Sequence, residues 1–247
     1  MTIDILTVFP EMFESVLSAS ILGRAREQGL LDIRLTDIRP FSSCKHRNTD
    51  DYPFGGGAGM VMTAQPIMDA MAFVSSRLPD ARKIYLGPRG RRLTTAVARE
   101  LSAEKSLILL CGHYEGVDQR ALDTCVDEEI SIGDYILTGG ELAAMVLTDC
   151  VARFIPGVLG SADSTEEESF TDGLLEYPQY TRPRDLNGLS VPEILLSGDH
   201  ARIRQWRRRE SLAATLRFRP DLLESAVLTA EDRKMLKELE NECSSEN

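Results

Sequence analysis

The chain has 247 residues, 43% of them hydrophobic, and a formal net charge of −11. That size fits one large or two small globular domains, and the acidic total, taken alone, argues against a nucleic-acid partner. Five widely spaced cysteines with no Cys-x-x-Cys pair speak against a disulfide framework or a zinc site and for reduced thiols. Met1-Thr-Ile-Asp4 lacks a basic leader, and no apolar run has bilayer length, so the expectation is a cytoplasmic protein without a membrane segment.

Taken in order, Thr2–Phe9 is an apolar run closed by Pro10 and predicts the first strand. Phe13, Val16, Leu17, Ala19, Ile21 and Leu22 recur at helical spacing, with Gly29 past the end. Leu31–Ile38 predicts a second strand, and a long polar loop, Arg39–Asp51, leads to Gly55-Gly-Gly-Ala-Gly-Met60. Gln65–Leu78 predicts a helix with Pro66 in its first turn. Then follow a strand at Lys83–Gly87, a helix at Thr94–Leu101 and a buried strand at Ser106–Cys111. Val117–Cys125 predicts a helix, Glu128–Ile132 a strand and Glu141–Phe154 a helix. Strands alternating with helices give an α/β class with a mostly parallel sheet covered on both faces.

Past Pro156-Gly157 the run Gly160–Glu168 is small, polar and acidic, and predicts a flexible linker. Val191–Ser197, His200–Phe218 and Leu228–Leu239 predict helices, the last with a Leu228, Met235, Leu236, Leu239 stripe. The chain therefore divides into an α/β domain over 1–159, a linker over 160–172 and a smaller helical domain over 173–247. Its charges are segregated: the tail is acidic, while Arg202, Arg204, Arg207, Arg208, Arg209, Arg217 and Arg219 crowd one region. A local field of that sign holds phosphates whatever the total.

Gly112-His-Tyr-Glu-Gly-Val-Asp118 and Ser131-Ile-Gly-Asp-Tyr-Ile-Leu-Thr-Gly-Gly-Glu141 both follow strands. Either alone reads as a tight turn; together with the glycine loop at 55–60 they predict a binding site at the carboxyl ends of the strands. Gly-x-Gly-x-x-Gly in a βαβ unit, Gly-x4-Gly-Lys-Ser/Thr and His-Glu-x-x-His are all absent, which excludes the usual NAD, ATP and catalytic-zinc sites. Main-chain groups on tight loops with apolar walls suit an adenosine instead.

Gly112–Asp118 followed by Ser131–Glu141 resembles the bacterial tRNA (guanine-N1)-methyltransferases of the SPOUT class. So do the Gly55–Met60 loop, Val151–Gly160, the Glu168–Pro183 segment and Leu195–Arg208. The resemblance implies a SPOUT-type parallel sheet with a trefoil knot plus a small helical C-terminal domain. It implies a homodimer and transfer of a methyl group from S-adenosyl-L-methionine to N1 of guanosine 37 of tRNA. By resemblance the cofactor contacts are Leu86, Gly87, Pro88, Gly112, Tyr114 and Glu115, then Ile132, Gly133, Asp134, Tyr135, Ile136 and Leu137, with Gly139 and Gly140 beside them. Arg153 matches the catalytic arginine, and Glu168 holds the place of the general base, where aspartate is usual in the family. Arg182, His200, Arg207 and Arg208 are the RNA contacts, and no metal ligand is implied. Two other classes stand beside this one: a non-catalytic RNA-binding protein, which makes the glycine loops structural, and a small-molecule α/β enzyme, which leaves the arginines unexplained.

Overall fold

A computed structural model describes residues 1–160 and 168–245. The chain divides into two compact units, Met1–Ala162 and Asp163–Asn247.

The first unit is built on β1 (Thr2–Thr7), β2 (Asp32–Asp37), β5 (Arg82–Arg92), β6 (Ser106–Cys111) and β7 (Glu128–Ser131), with a short antiparallel pair, β3 (Asp50–Asp51) and β4 (Val61–Met62), standing apart from them. The five strands form one sheet in the order β2-β1-β6-β5-β7, and every pairing is parallel. Its helices are α1 (Glu14–Leu17), α2 (Ser20–Glu27), α3 (Ala64–Arg77), α4 (Thr95–Ser102), α5 (Gln119–Cys125) and α6 (Glu141–Ala152). The sheet is parallel and covered on both sides, so β6 is a continuous apolar run instead of an alternating one. Leu107, Leu109 and Cys111 face a core shared with Leu17, Leu22, Leu101 and Leu147. Ile108 and Leu110 face a second core with Ile67, Met71, Val74 and Leu122.

Asp4 inside β1 is wholly buried and is satisfied locally. Thr36 Oγ1 donates to its Oδ1 at 2.7 Å, and Arg77 reaches Oδ2 at 3.4 Å. Burial raises its carboxyl above the ordinary value, against the opposing pull of Thr36 and Arg77.

Three elements depart from the sequence expectation. The helix expected from Phe13 is a 3₁₀ turn (Pro10–Phe13) followed by α1 and α2, because Ala19 is extended and Ser20 has φ 51°. β5 does not stop at Gly87: Leu86 and Arg91 both align with Ile130, so residues 87–90 bulge out and the strand resumes beside β7. The polar loop 39–51 contains β3, paired to β4.

In the second unit, β8 (Asp185–Leu186) and β9 (Leu189–Ser190) form a hairpin turned by Asn187 and Gly188, both in left-handed conformations. The helix expected at Val191–Ser197 is only a 3₁₀ turn, Glu193–Leu196, bounded by Pro192 and a left-handed Gly198. α7 (His200–Phe218) is capped by Asp199, whose side chain accepts from the amides of Ala201 and Arg202. α8 (Pro220–Leu223) and α9 (Ala230–Ser245) complete the unit. Leu174, Leu212, Met235, Leu236 and Leu239 make its core, with Leu228 at the edge. The linker expected over 160–172 falls into two parts. Residues 161–167 lie outside the described residues. Glu168–Asp172 belong to a closed turn, in which the Phe170 amide donates to Leu174 O at 2.7 Å and the Glu176 amide to Ser169 Oγ at 2.9 Å. The Leu175 amide ties this turn to Thr215 Oγ1 of α7 at 2.9 Å.

Candidate active site

The bulge within β5 at 87–90 and the loops after β6 and β7, residues 112–118 and 132–140, meet in one place. Between them lies a cleft of about 330 Å³, within the range of small-molecule sites. Leu86, Ile132, Ile136, Leu137 and Ala143 supply apolar wall, and among the described residues Glu115 is its one carboxylate.

Close backbone approach makes the cleft. The Gly140 amide donates to Gly112 O at 2.7 Å, and His113 and Gly139 form an antiparallel bridge. A Cβ on Gly140 would stand 2.9 Å from Cys111 Cα and 3.0 Å from Gly112 N. Gly140 itself has φ −79°, open to any residue, so the position demands space and not handedness. The turn between Gly112 and Val117 is where left-handed backbone occurs, at Tyr114 (φ 59°) and Gly116 (φ 126°).

The third glycine loop is pinned onto the second. The Glu115 amide donates to Met60 O, the Met62 amide to Gly116 O and the Asp118 amide to Met62 O, each at 2.9 Å. Gly59 sits at φ 79°, and a Cβ there would come within 2.5 Å of the Glu115 side chain. Backbone approach is close at the loop's Gly59–Met62 end, while Phe54 on its other limb is fully exposed.

Under the cleft lies a carboxylate that the sequence reading passed over. Glu141 opens α6, is 1% exposed, and accepts from Thr7 Oγ1 of β1 at 2.8 Å. His113 Nδ1 stands 3.6 Å from its other oxygen, and the imidazole packs against Phe9 with ring centroids 4.8 Å apart. A side chain at Gly139 would strike both groups. Burial, followed by the charge of Glu141, pushes the Cys111 thiol well above its usual value. Burial and Glu129 push the Tyr85 phenol up in the same way.

The expected cofactor residues Leu86, Gly87, Pro88, Gly112, Tyr114, Glu115, Ile132, Gly133, Tyr135, Ile136, Leu137, Gly139 and Gly140 all line this one cleft. Asp134 does not; it is exposed and pairs with Arg92 at 3.2 Å. Tyr85, His113, Ser131, Thr138 and Ala143 also line it; His113 lay inside the glycine motif and Tyr85 one place before Leu86, but a histidine and a tyrosine at strand ends carry no distinct signal. Arg153 caps the carboxyl end of α6, half-buried and outside the cleft lining. Glu168 belongs to the second unit, at the start of its closed turn.

Arg182 and His200 are exposed. Arg207 lies over the Tyr177 ring, 4.6 Å from its centroid. Arg208, expected as an RNA contact, is engaged within the unit. It reaches Asp172 at 2.5 Å and Asp232 at 2.9 Å, and those bonds hold the Asp232 carboxyl down to about 2. Arg209 is likewise held by Glu242 at 2.7 Å. Their charge is neutralised within the unit, which weakens any call on them by an outside phosphate.

Residues 1–225 match the family model described as tRNA (Guanine-1)-methyltransferase TrmD. A tRNA (guanine-N(1)-)-methyltransferase of Caldanaerobacter subterraneus is 58% identical over 238 residues, covering 96% of this chain and 98% of its own. Those of Geobacillus kaustophilus, 56% identical over 242 residues, and Geobacter metallireducens, 55% over 240, cover 98% and 97% of this chain and 99% and 98% of their own.

Proposed function

The chain belongs to the tRNA (guanine-1)-methyltransferase family, and from that premise we propose that it transfers a methyl group from S-adenosyl-L-methionine to N1 of guanosine 37 of tRNA, just 3′ of the anticodon. The observation that carries the cofactor half is the cleft into which the 87–90 bulge and the loops 112–118 and 132–140 converge. Its residues fit the group. Gly140 packs directly on the Cys111–Gly112 backbone and so closes the cleft wall, Leu86, Ile132 and Leu137 wall an adenine ring, and Glu115 supplies a carboxylate for a cationic portion. S-adenosylmethionine, when bound, supplies an electrophilic methyl on a sulfonium.

The remaining chemistry falls to this chain's side chains. Guanine N1 carries a proton at neutral pH, so it becomes a nucleophile only as that proton leaves. Glu168 takes it, and the Arg153 guanidinium, with planar paired donors, faces the negative charge that gathers on O6. Arg182, His200 and Arg207 hold tRNA phosphates.

The trefoil knot is supported by connectivity. From β7 at the sheet edge, the chain returns past the end of β5 to pair Gly139 and Gly140 with His113 and Gly112, and α6 then packs on β6 and β1. A homodimer is supported by exposed apolar residues, Leu142 and Val146 at i, i+4 spacing on α6 and Met12 on the 3₁₀ turn that contacts α6. A cytoplasmic site fits a tRNA substrate, and no helix among the described residues is long and apolar enough to cross a membrane.

The test is incubation with labelled S-adenosylmethionine and unmodified tRNA, followed by mapping of the modified base. Label at N1 of guanosine 37 is the expected result. Label at another base, or none while the folded protein raises its melting temperature with S-adenosylmethionine, refutes the substrate assignment. Light scattering at micromolar concentration should give a dimer.

A further inference from the structure

The second unit holds a cleft of its own, about 510 Å³, between residues 177–180 and the first two turns of α7. The geometry points to this cleft as the capture site for one unstacked nucleotide of the bound tRNA, its base on Tyr180 and Trp206 and its phosphate on Arg204. The inference rests on the tRNA reading above, and adds to it a base-stacking pocket where that reading has only cations.

Helix periodicity builds the site. His200, Ile203, Arg204 and Arg207 fall at i, i+3, i+4 and i+7, one stripe of α7, and all four line the cleft. Leu212 and Thr215, farther along α7, are buried within the unit. The amino-terminal half thus presents a face that the unit's own core does not use. Asp199 caps that end and keeps its first turn in place.

Charge sorts the same way. Arg208 and Arg209, which do not line the cleft, are neutralised by Asp172, Asp232 and Glu242. None of the residues lining the cleft is an acid, and Arg204 makes no ion pair among the described residues. A positive cleft within an acidic chain selects an anion.

Aromatic rings give the anion its class. Tyr177, Tyr180 and Trp206 all line the cleft. Tyr177 already carries the Arg207 guanidinium on its face. Tyr180 is 48% exposed, and its centroid lies 6.4 Å from that of Trp206 with the planes tilted by 52°, so neither ring face is covered by the other. Open rings beside cations are how single-stranded nucleic acid is held: bases stack on the rings and the backbone follows the charge. A free phosphate would use the cations and leave the rings idle.

The two parts separate by salt. Stacking releases no counterions, whereas each phosphate contact contributes to the slope of affinity against salt. With a fluorescent anticodon stem-loop RNA and the full chain, Tyr180→Ala should weaken binding on the order of ten- to a hundredfold with the salt slope unchanged. Trp206→Leu should do the same, its fold checked by circular dichroism. Arg204→Ala should reduce the slope by about 0.7–0.9. S-adenosylmethionine affinity should stay constant in all three. An RNA with 2-aminopurine placed in the loop should change fluorescence on the wild type and not on Tyr180→Ala. Wild-type affinity in both aromatic variants overturns the pocket while methylation by the wild type leaves the tRNA reading standing. A wild-type chain that neither binds nor methylates tRNA overturns both.

Discussion

Replacing Gly140 by alanine tests whether the cleft is held open by backbone contact. Residue 140 has φ −79° and ψ −7°, where alanine is comfortable. Removing a glycine there would by itself stabilise the chain by about 0.4–1 kcal/mol through the unfolded state. Against this stands the added methyl, 2.9 Å from Cys111 Cα and 3.0 Å from Gly112 N. Both neighbours are backbone at the end of fully buried β6, so the loop must move by several tenths of an ångström. Overpacking of that kind costs roughly 1–3 kcal/mol. The steric term should win, lowering Tm by roughly 2–10 °C for a chain of this size. Calorimetric titration should show S-adenosylmethionine affinity reduced as well, because the 2.7 Å bond between Gly140 N and Gly112 O fixes the cleft wall. Gly160→Ala is the control, with open space around it, and should not lower Tm. A Gly140→Ala protein as stable as the wild type, with unchanged affinity, would refute the close-approach argument.

Three further outcomes are expected. Thr7→Val removes the donor to buried Glu141 Oε1 and should cost about 1–3 kcal/mol; a double-mutant cycle with Glu141→Gln should return a coupling of at least about 0.5 kcal/mol, and strict additivity would break the proposed link between β1 and the cleft. Arg208→Ala should loosen the second unit, read from the fluorescence of the chain's one tryptophan, Trp206. Because Arg208 holds the Asp232 carboxyl at about 2 against an ordinary 3.8, the pair's contribution is present above pH 3.8 and disappears as pH falls toward 2. The variant should therefore lose most relative to wild type at neutral pH and converge with it in acid, and an equal gap at both would sink the assignment. Glu168→Gln should leave both affinities nearly intact and cut single-turnover methyl transfer at least about tenfold, with Glu168→Asp retaining most activity; a wild-type rate in Glu168→Gln would move the general base elsewhere.

What the sequence disclosed and what it hid divide along one line, local cause against tertiary cause. β6 was legible because burial on both faces leaves an uninterrupted apolar run, and the limits of α7 were legible because Asp199 caps it and Pro220 follows it. The extension of β5 was not, since Gly87-Pro-Arg-Gly90 reads as a strand end and only Ile130 across the sheet makes it a bulge. In the cleft, glycine loops after strands announced a site, yet the reason for Gly140 lies 28 positions away at Gly112. Glu141 was invisible for the same reason: an acid opening a helix normally serves the dipole in solvent, and only Thr7 and His113 make it a buried strut.

Charge shows that division most sharply. By composition the chain is acidic, and its arginine cluster read as one phosphate-binding surface. The fold sorts that cluster by the partner each arginine meets. Arg208 and Arg209 turn toward acids contributed by the 168–176 turn and α9, while Arg204 and Arg207 share a stripe with His200 beside the aromatic cleft. Part of the excess acid is thus consumed internally, holding the second unit together. The cations left at the cleft are few, but among the described residues no carboxylate lines it to compete with a phosphate. Net charge therefore misleads about the partner in a definite way: it counts Asp172, Asp232 and Glu242 as repulsive to RNA, when their effect is to decide which arginines remain to meet it.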